Sequence, residues 1–325
     1  MRRREFITLL GGAATAWPVT ASAQQPTMPV VGYVRSGSRA ASAPLSALRQ
    51  GLRSMGFDEG RNVVIDYRYA ENQNDQLPTL IADLVRRQVE LIYAADNPTA
   101  VAARAANATI PIVFRIGGDP VQLGLVASLN RPGGNITGVS FLSTATTAIR
   151  LQMLREAVPN AAVIGLIVNT ANPGTEPDTR EAQEAARMLG LELHVVSASN
   201  THEIDAAIAS IVQRHAHALV IGGDALLTNR RQQFAALAMR HAMPAAATTR
   251  DFPEAGLLMS YGASNIDADR LGGIYVGRVL KGDKPADLPV QQSVKVELII
   301  NLIAARALGL DVPPSLLARA DEVIE

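Results

Sequence analysis

The sequence of 325 residues contains no cysteine. This absence excludes disulfide bonds, thiol nucleophiles and thiolate ligands for a metal ion. It also excludes acylation of an N-terminal cysteine, so we expect no lipid anchor. Any chemistry of this chain therefore depends on the oxygen and nitrogen groups of its other side chains.

Aromatic residues are scarce as well. They make up 4% of the chain, whereas hydrophobic residues as a whole make up 48%. The cores are therefore expected to consist mostly of alanine, valine, isoleucine and leucine, which is typical of parallel sheets covered by helices. The length allows two domains of ordinary size, each with its own core.

Neither sign of charge is in excess. The chain has 30 basic and 30 acidic residues, and subtracting Arg2, Arg3, Arg4 and Glu5 leaves 27 and 29. A domain that binds nucleic acid normally carries a clear basic excess. We therefore expect no nucleic-acid partner.

Long hydrophobic runs are absent after the first 23 residues. The N-terminus combines an arginine pair, a spacer and Phe6 with an apolar stretch over 7–19 and the small residues Ala21 and Ala23. These features indicate a twin-arginine export signal that is cleaved near Ala23. A membrane anchor is the alternative, but the stretch is short and rich in Gly and Ala. No later segment approaches the roughly 18 apolar residues of a spanning helix, so we expect the mature chain in the bacterial periplasm.

The sequence contains an internal repeat. Four strand-like runs, each followed by a polar loop, return in the same order roughly 130 residues later. The matching runs are 30–34 with 163–168, 63–67 with 191–196, 91–96 with 219–224, and 110–114 with 243–247. The repeat predicts two similar lobes that face each other across a cleft.

Helical patterns alternate with these strands, which indicates parallel βαβ units. We predict an α/β fold of two Rossmann-like, doubly wound lobes joined by a hinge of three segments. Lobe one is expected to comprise residues 28–142 plus about 262–288, and lobe two residues 143–258 plus about 293–325. In such sheets, ligands bind outside the carboxyl ends of the strands.

Charged residues recur at these strand ends. Four aspartates follow predicted strands at duplicated positions: Asp96, Asp119, Asp224 and Asp251. They either cap the helices that follow or bind an ammonium group of a ligand. Three arginines on the same rim have the geometry to bind a carboxylate: Arg35, Arg115 and Arg250. This mixture of charges favours a zwitterionic or a neutral polar ligand.

Motifs for catalysis, metal binding and cofactor binding are missing. The Gly-Gly-Asp sequences at 117–119 and 222–224 do not match a phosphate-binding loop. His215 and His217 are two residues apart on a predicted helix, so their rings point in different directions. The chain has no G-x-S-x-G nucleophile motif. We therefore expect no cofactor, no metal and no catalytic residue; a hydrolase that uses carboxylates of the cleft is a weaker alternative.

Several segments together resemble one family of binding proteins. The segments are 30–38, 59–68, 84–87, 110–114, 118–140, 259–262 and 313–325. They are similar to the periplasmic substrate-binding proteins of ABC transporters that include the tryptophan/tyrosine-binding type. The resemblance covers residues 28–325. It implies a type I periplasmic-binding fold, no catalysis, and delivery of a ligand to a membrane permease.

The resemblance also implies which strand-end loops face the ligand. The residues carried over by position are Ser36, Ser38, Asp96, Asn97, Thr99, Gly118, Asp119, Asn169, Asn172, Asp224, Arg250 and Phe252. The expected ligand is a small polar or zwitterionic compound, with an aromatic amino acid or a related compound as one candidate. The expected partners are the membrane subunits of an ABC permease, and the chain is expected to be a monomer. The alternative is a ligand-sensing partner of a signalling receptor.

Overall fold

The computed structural model describes residues 28–39, 42–106, 109–141 and 145–325. The predicted export signal at 1–23 lies outside the described residues. Within the described ranges, no helix is both long enough and apolar enough to cross a membrane.

The described residues form strands and helices in alternation. The strands are β1 (Val30–Arg35), β2 (Val64–Tyr69), β3 (Leu91–Ala94), β4 (Ile112–Ile116), β5 (Ile136–Ser140), β6 (Val163–Val168), β7 (Glu192–Ser197), β8 (Ala218–Ile221), β9 (Ala245–Ala247), β10 (Met259–Ala263), β11 (Gln291–Gln292), β12 (Val296–Asn301) and β13 (Glu322–Ile324). The helices are α1 (Ser42–Ser54), α2 (Leu77–Arg86), α3 (Asn97–Ala105), α4 (Ala145–Ala157), α5 (Thr175–Met188), α6 (Glu203–Gln213), α7 (Ala225–Asn229), α8 (Arg231–Arg240), α9 (Asp251–Glu254), α10 (Asn265–Leu280), α11 (Leu302–Ala307) and α12 (Pro314–Leu317).

These strands form two sheets with related topology. The first has the order β11-β5-β4-β3-β1-β2, and the second β13-β12-β10-β9-β8-β6-β7. Strands β1 to β5 therefore occupy the same relative places as β6 to β10. The first sheet is parallel throughout, and in the second only the β10–β12 pairing is antiparallel. The predicted α/β fold with two doubly wound lobes is confirmed.

Each sheet is covered by helices on both faces. Leu84 of α2 and Phe114 lie in the core on one face of the first sheet, and Tyr33, Tyr93 and Leu48 of α1 in the core on the other. The second sheet likewise has a core on each face, and both contain many alanine and branched aliphatic side chains. The composition therefore predicted the cores well, apart from a cluster of four tyrosines in the first lobe.

The chain passes between the sheets three times. Strand β5 leads to α4, β10 leads to α10, and β11 leads to β12. These crossings bond to one another, because Ser264 N donates to Lys295 O (2.8 Å) and Ser293 N donates to Ser140 O (2.8 Å). The three connecting segments thus lie side by side.

Some predicted elements differ from the observed ones. The sequence predicts a helix over 314–320, but the observed helix α12 ends at Leu317, and the chain then forms β13, which pairs with β12. Strand β13 has three residues, and in only one of its pairs with β12, Val323 with Ile300, are both side chains apolar. The sequence therefore shows no alternating apolar pattern that would identify it. The sequence also predicts a helix from Ala268 to Leu280; the observed helix α10 begins three residues earlier, at Asn265, just after β10.

Candidate functional site

A cavity lies between the lobes at the carboxyl ends of both sheets. It encloses about 720 Å³ of empty space, its open mouth included. This volume is in the usual range for small-molecule sites, about 300–1,000 Å³. The wall consists of Arg35, Ala95, Asp96, Asn97, Arg115, Gly117, Phe141, Thr146, Asn172, Gly223, Asp224, Ala225, Thr228, Thr248, Thr249, Gly262, Ala263 and Asn265.

Asp96 organises the wall of lobe one. It is the N-cap of α3 and forms a capping box with Thr99, whose backbone N donates to Asp96 Oδ1 (3.1 Å). Its other carboxylate oxygen accepts hydrogen bonds from Ser36 N (2.9 Å) and Ser36 Oγ (2.7 Å). The carboxylate therefore ties the loop after β1 to the start of α3.

Asn97 connects the two lobes directly. Its Oδ1 accepts hydrogen bonds from the backbone N of Gly117 (3.1 Å) and Gly118 (3.2 Å). Its Nδ2 donates to Asn172 Oδ1 of lobe two (3.1 Å). Asn97 and Asn172 are 9% and 7% exposed, so this bridge is largely shielded from water.

Asp224 is the counterpart of Asp96 in lobe two. It caps α7 and accepts hydrogen bonds from Leu226 N (2.8 Å), Asn169 Nδ2 (3.1 Å) and Asn172 Nδ2 (3.1 Å). Burial raises the pKa of Asp224, while these hydrogen bonds act in the opposite direction. Asp96 and Asp224 confirm the capping interpretation of the duplicated aspartates.

Arg115 lies on the wall of lobe one between an aromatic ring and a buried acid. Its guanidinium carbon is 4.5 Å from the Phe141 ring centroid, a cation–π contact. Nη2 donates to Asn265 Oδ1, and Nε lies 3.5 Å from Asp269 Oδ1. Tyr93 OH also donates to Asp269 Oδ1 (3.2 Å). Burial raises the pKa of Asp269, and the charge of Arg115 opposes that rise.

Two polar atoms of the cavity-lining residues lack hydrogen-bond partners among the described residues. They are Arg115 Nε and Thr249 Oγ1, both buried. Buried polar groups in native proteins are almost always hydrogen-bonded. Neither atom is accessible to solvent, and Arg115 Nε lies beside the buried Asp269 Oδ1 (3.5 Å), so neither is a contact point for a molecule in the cavity as it stands.

The structure brings only part of the predicted set to this cavity. Asp96, Asn97, Asn172 and Asp224 line it. Ser36 and Asn169 line a smaller neighbouring cleft, which also includes Asp224. Thr99 and Gly118 support the wall through the hydrogen bonds of Asp96 and Asn97.

The remaining predicted residues lie away from the cavity wall. Ser38 is half-buried in the loop after β1. Asp119 accepts hydrogen bonds from Val121 N and Gln122 N within its own turn. Arg250 forms ion pairs with three acids, Glu254, Glu297 and Glu322. Phe252 is fully buried in the core of the second lobe, where its ring packs against Phe234.

Sequence patterns did not identify several wall residues. Phe141 and Asn265 lie at crossings between the lobes, and Thr248 and Thr249 follow β9. The strand-end rule would have identified the two threonines, since they stand directly after a predicted strand. Within the described ranges, no group of three or more metal-ligating side chains is placed to hold a metal ion.

Comparison with known proteins gives consistent matches. A sequence model for the family described as ABC transporter substrate binding protein matches residues 34–324. The tyrosine-binding protein of Clostridioides difficile (strain R20291) is 30% identical over 263 residues, covering 80% of this chain and 74% of that protein.

Two solved structures have the same architecture. One, from Streptococcus pneumonia, is an ABC domain in complex with L-Trp; it has a TM-score of 0.82 and 24% identity and covers 91% of this chain and 99% of the other. The second is the ligand-free, open structure of a substrate-binding protein with adhesive properties from Clostridium difficile. It has a TM-score of 0.64 and 25% identity and also covers 91% of this chain and 99% of the other.

Proposed function

The chain belongs to the family of ABC transporter substrate-binding proteins, and from this premise we propose that it captures a small polar ligand in the cavity between its lobes. The proposal rests mainly on one observation. The cavity is lined by strand ends of both lobes, so a molecule within it contacts both and can hold them together. Proteins of this family bind ligands for transport, and we propose no enzymatic activity for this chain.

We propose that ligand capture proceeds by closure about the three crossings, with the two lobes moving as units. The Asn97–Asn172 hydrogen bond joins the lobes beside the cavity, as expected of a closed arrangement. The chain also superimposes better on the L-Trp complex (TM-score 0.82) than on the ligand-free, open structure (TM-score 0.64), although the sequence identity and the coverage of the two comparisons are nearly equal. A ligand stabilises the closed arrangement only if it binds that arrangement more tightly than the open one.

Family members act outside the cytoplasm, and we propose the periplasm for this chain. The arginine pair and small-residue site at 1–23 support export by a twin-arginine signal that is cleaved near Ala23. We propose that the mature monomer, without a lipid anchor, delivers its ligand to an ABC permease.

Calorimetric titration of the purified mature chain tests this function. The panel consists of aromatic and aliphatic amino acids, small carboxylic acids, sugars and nucleosides. One class is expected to bind and to reduce the radius of gyration in small-angle X-ray scattering, because closure makes the molecule more compact. If no compound of any class binds or changes the scattering, the proposed function is wrong.

Replacing Asn97 with alanine is expected to weaken ligand binding by about 10- to 100-fold. The variant loses the hydrogen bond to Asn172 and leaves the buried Gly118 N without the Asn97 acceptor. The open form is then favoured, and the scattering of the ligand-saturated variant should retain a larger open fraction. Asn74→Ala is the matched control, because Asn74 Nδ2 also bonds across the lobes, to Ala171 O (3.3 Å), but at the exposed surface. Equal affinities of the two variants would show that the Asn97 bridge does not stabilise closure.

A further inference from the structure

We propose that Gly37 of lobe one and Gly174 of lobe two are two points at which the lobes meet on closure, and that ligand affinity depends on the absence of a side chain at each. This inference rests on the proposed function and assigns residues that determine how far closure proceeds. It follows from the atoms that a side chain at either position would meet.

Gly174 lies beside the hydrogen bond that joins Asn97 to Asn172. An alanine Cβ at 174 would lie 2.5 Å from Asn97 Nδ2, which belongs to the other lobe. The Asn97 side chain is held in place, because its Oδ1 accepts hydrogen bonds from two backbone N–H groups of lobe one and its Nδ2 donates to Asn172 Oδ1 (3.1 Å). Gly174 N donates to the same Asn172 Oδ1 (3.0 Å). A side chain at 174 would therefore break this bridge or hold the lobes apart.

Gly37 makes a similar contact from lobe one. An alanine Cβ at 37 would lie 2.8 Å from Asn229 Nδ2 and 3.3 Å from Ala225 Cβ, and both residues belong to α7 of lobe two. Ala225 also lines the ligand cavity, so this contact lies at the edge of the cavity. Gly37 and Gly174 are both buried, although each lies in a loop between a strand and a helix.

The internal repeat relates the two contacts. Each glycine lies in the loop after the first strand of its lobe, β1 or β6. Each meets the helix that follows the third strand of the other lobe, which is α7 for Gly37 and α3 for Gly174. Two similar lobes that face each other across a cleft thus meet at two equivalent places, one on each side.

The backbone conformation does not require glycine at either position. Gly174 has a φ of −79° and a ψ of −8°, which is right-handed helical, and the φ of Gly37 lies outside the left-handed region. Alanine adopts the conformation of Gly174 without strain. What a side chain lacks at these two positions is space, because atoms of the opposite lobe occupy it. Opening the lobes relieves such a conflict, whereas a conflict within one lobe persists in the open form.

A disulfide crosslink tests whether the lobes meet at Gly37, whichever ligand the protein binds. In the double variant Gly37→Cys/Ala225→Cys the two Cβ atoms would lie 3.3 Å apart, close to the range of about 3.5–4.5 Å found in disulfides. The chain has no cysteine of its own, so an intramolecular disulfide can only come from the introduced pair. Under mild oxidation we expect this disulfide in the double variant and in neither single variant, and the oxidised form should have the smaller radius of gyration. If the folded double variant forms no intramolecular disulfide, the inference is wrong, and the titration panel decides the proposed function separately.

Alanine variants test whether the two contacts determine affinity. The probe is the compound of the titration panel that binds the wild type most tightly. Gly174→Ala should weaken its binding by about 10- to 100-fold. Gly37→Ala should weaken it by about 3- to 10-fold, because Asn229 Nδ2 has no hydrogen-bond partner among the described residues and moves aside more easily than Asn97.

The melting temperatures of the ligand-free variants separate this role from a structural one. Those of Gly174→Ala and Gly37→Ala should stay within about 2 °C of the wild type, since the open lobes leave room for the added methyl group. Gly165→Ala is the matched control, because its Cβ would lie 2.6 Å from Ile211 Cγ2 within lobe two, and its melting temperature should fall. Wild-type affinity in both test variants, or melting temperatures that fall as in the control, would overturn the inference.

Discussion

Replacing Gly273 with alanine is expected to lower the melting temperature by roughly 5–10 °C. Helices α1 and α10 pack backbone against backbone at this point. An alanine Cβ at 273 would lie 2.1 Å from Leu48 O and 2.9 Å from Leu52 N. The same is true in reverse at Gly51, whose Cβ would lie 2.0 Å from Arg270 O. No rotamer change relieves such contacts, because the atoms in the way are backbone atoms.

The helices must therefore separate, and the core beneath them loses contacts. Overpacking of this kind costs about 1–3 kcal/mol or more, while the better helix propensity of alanine returns at most about 1 kcal/mol. Calorimetry of the ligand-free protein measures the change. Arg278→Ala on the same helix is the control, since its side chain is 41% exposed and forms a surface ion pair with Asp283 and a cation–π contact with the Tyr275 ring at 6.0 Å. A Gly273→Ala variant as stable as this control would show that α1 and α10 separate without cost.

The same helix links the packing to the site. Helix α10 begins at the second crossing with Asn265, which bonds to Arg115, and carries Asp269 one turn later. Displacement of α10 by Gly273→Ala should therefore also weaken ligand binding. This coupling could not be predicted from sequence, because Asn265 and Arg115 are brought together by a contact between residues 150 positions apart.

The lobes themselves were predictable because their signals are local. Apolar runs such as 163–168 and 218–221, separated by helical patterns, identify βαβ units without any knowledge of distant contacts. The aspartate caps were equally local, since Asp96 bonds to Thr99 and Asp224 to Leu226. Sequence patterns did not show which other residues bond to these carboxylates. In the structure Ser36 bonds to Asp96, and Asn169 and Asn172 bond to Asp224.

The predicted site residues that lie elsewhere share one physical cause. The direction of a side chain after a strand depends on the exact turn that the backbone makes there. Helix α9 begins at Asp251, which directs Phe252 into the core against Phe234. Arg250 is drawn to Glu297 and Glu322, which belong to strands much later in the chain. The residues around position 250 contain no sequence pattern that predicts the burial of Phe252 or the ion pairs of Arg250.

The stability of the protein is expected to fall as pH rises from about 4 to about 7, with Asp178 as a main cause. Burial raises the pKa of Asp178 to about 7, although the charge of Arg150 opposes the rise. Its Oδ1 is buried without a hydrogen-bond partner among the described residues. In the unfolded chain the same carboxyl has a pKa of about 3.9. The folded state therefore holds a proton that the unfolded state releases, and this advantage is complete below pH 4 and lost as pH rises through about 7.

Asp178→Asn should remove this pH dependence. A shift of about three pKa units corresponds to a stabilisation of the folded wild type by roughly 4 kcal/mol at most at low pH. The variant lacks this stabilisation. The difference between the melting temperatures of variant and wild type should therefore move in favour of the variant by roughly 5–10 °C between pH 4.5 and 8. Arg150 stays charged over this range, since burial lowers its pKa only to about 10. Its guanidinium keeps hydrogen bonds to Thr146 Oγ1 (3.0 Å), Thr147 Oγ1 (2.5 Å) and Tyr261 O (3.1 Å) in the variant.

Glu176→Gln is the matched control, because both acids lie in the first turn of α5 but Glu176 is exposed. Its melting temperature should follow the wild type at every pH. A difference in melting temperature between Asp178→Asn and the wild type that is the same at every pH would contradict the assignment.

Asp178 and Asp224 line the same small cleft behind the ligand cavity, and Asp224 belongs to the wall of both. Ionisation of Asp178 adds a negative charge beside that wall, so the affinity of any compound with a net negative charge that binds in the titration panel should also decrease above pH 7, and less so in Asp178→Asn.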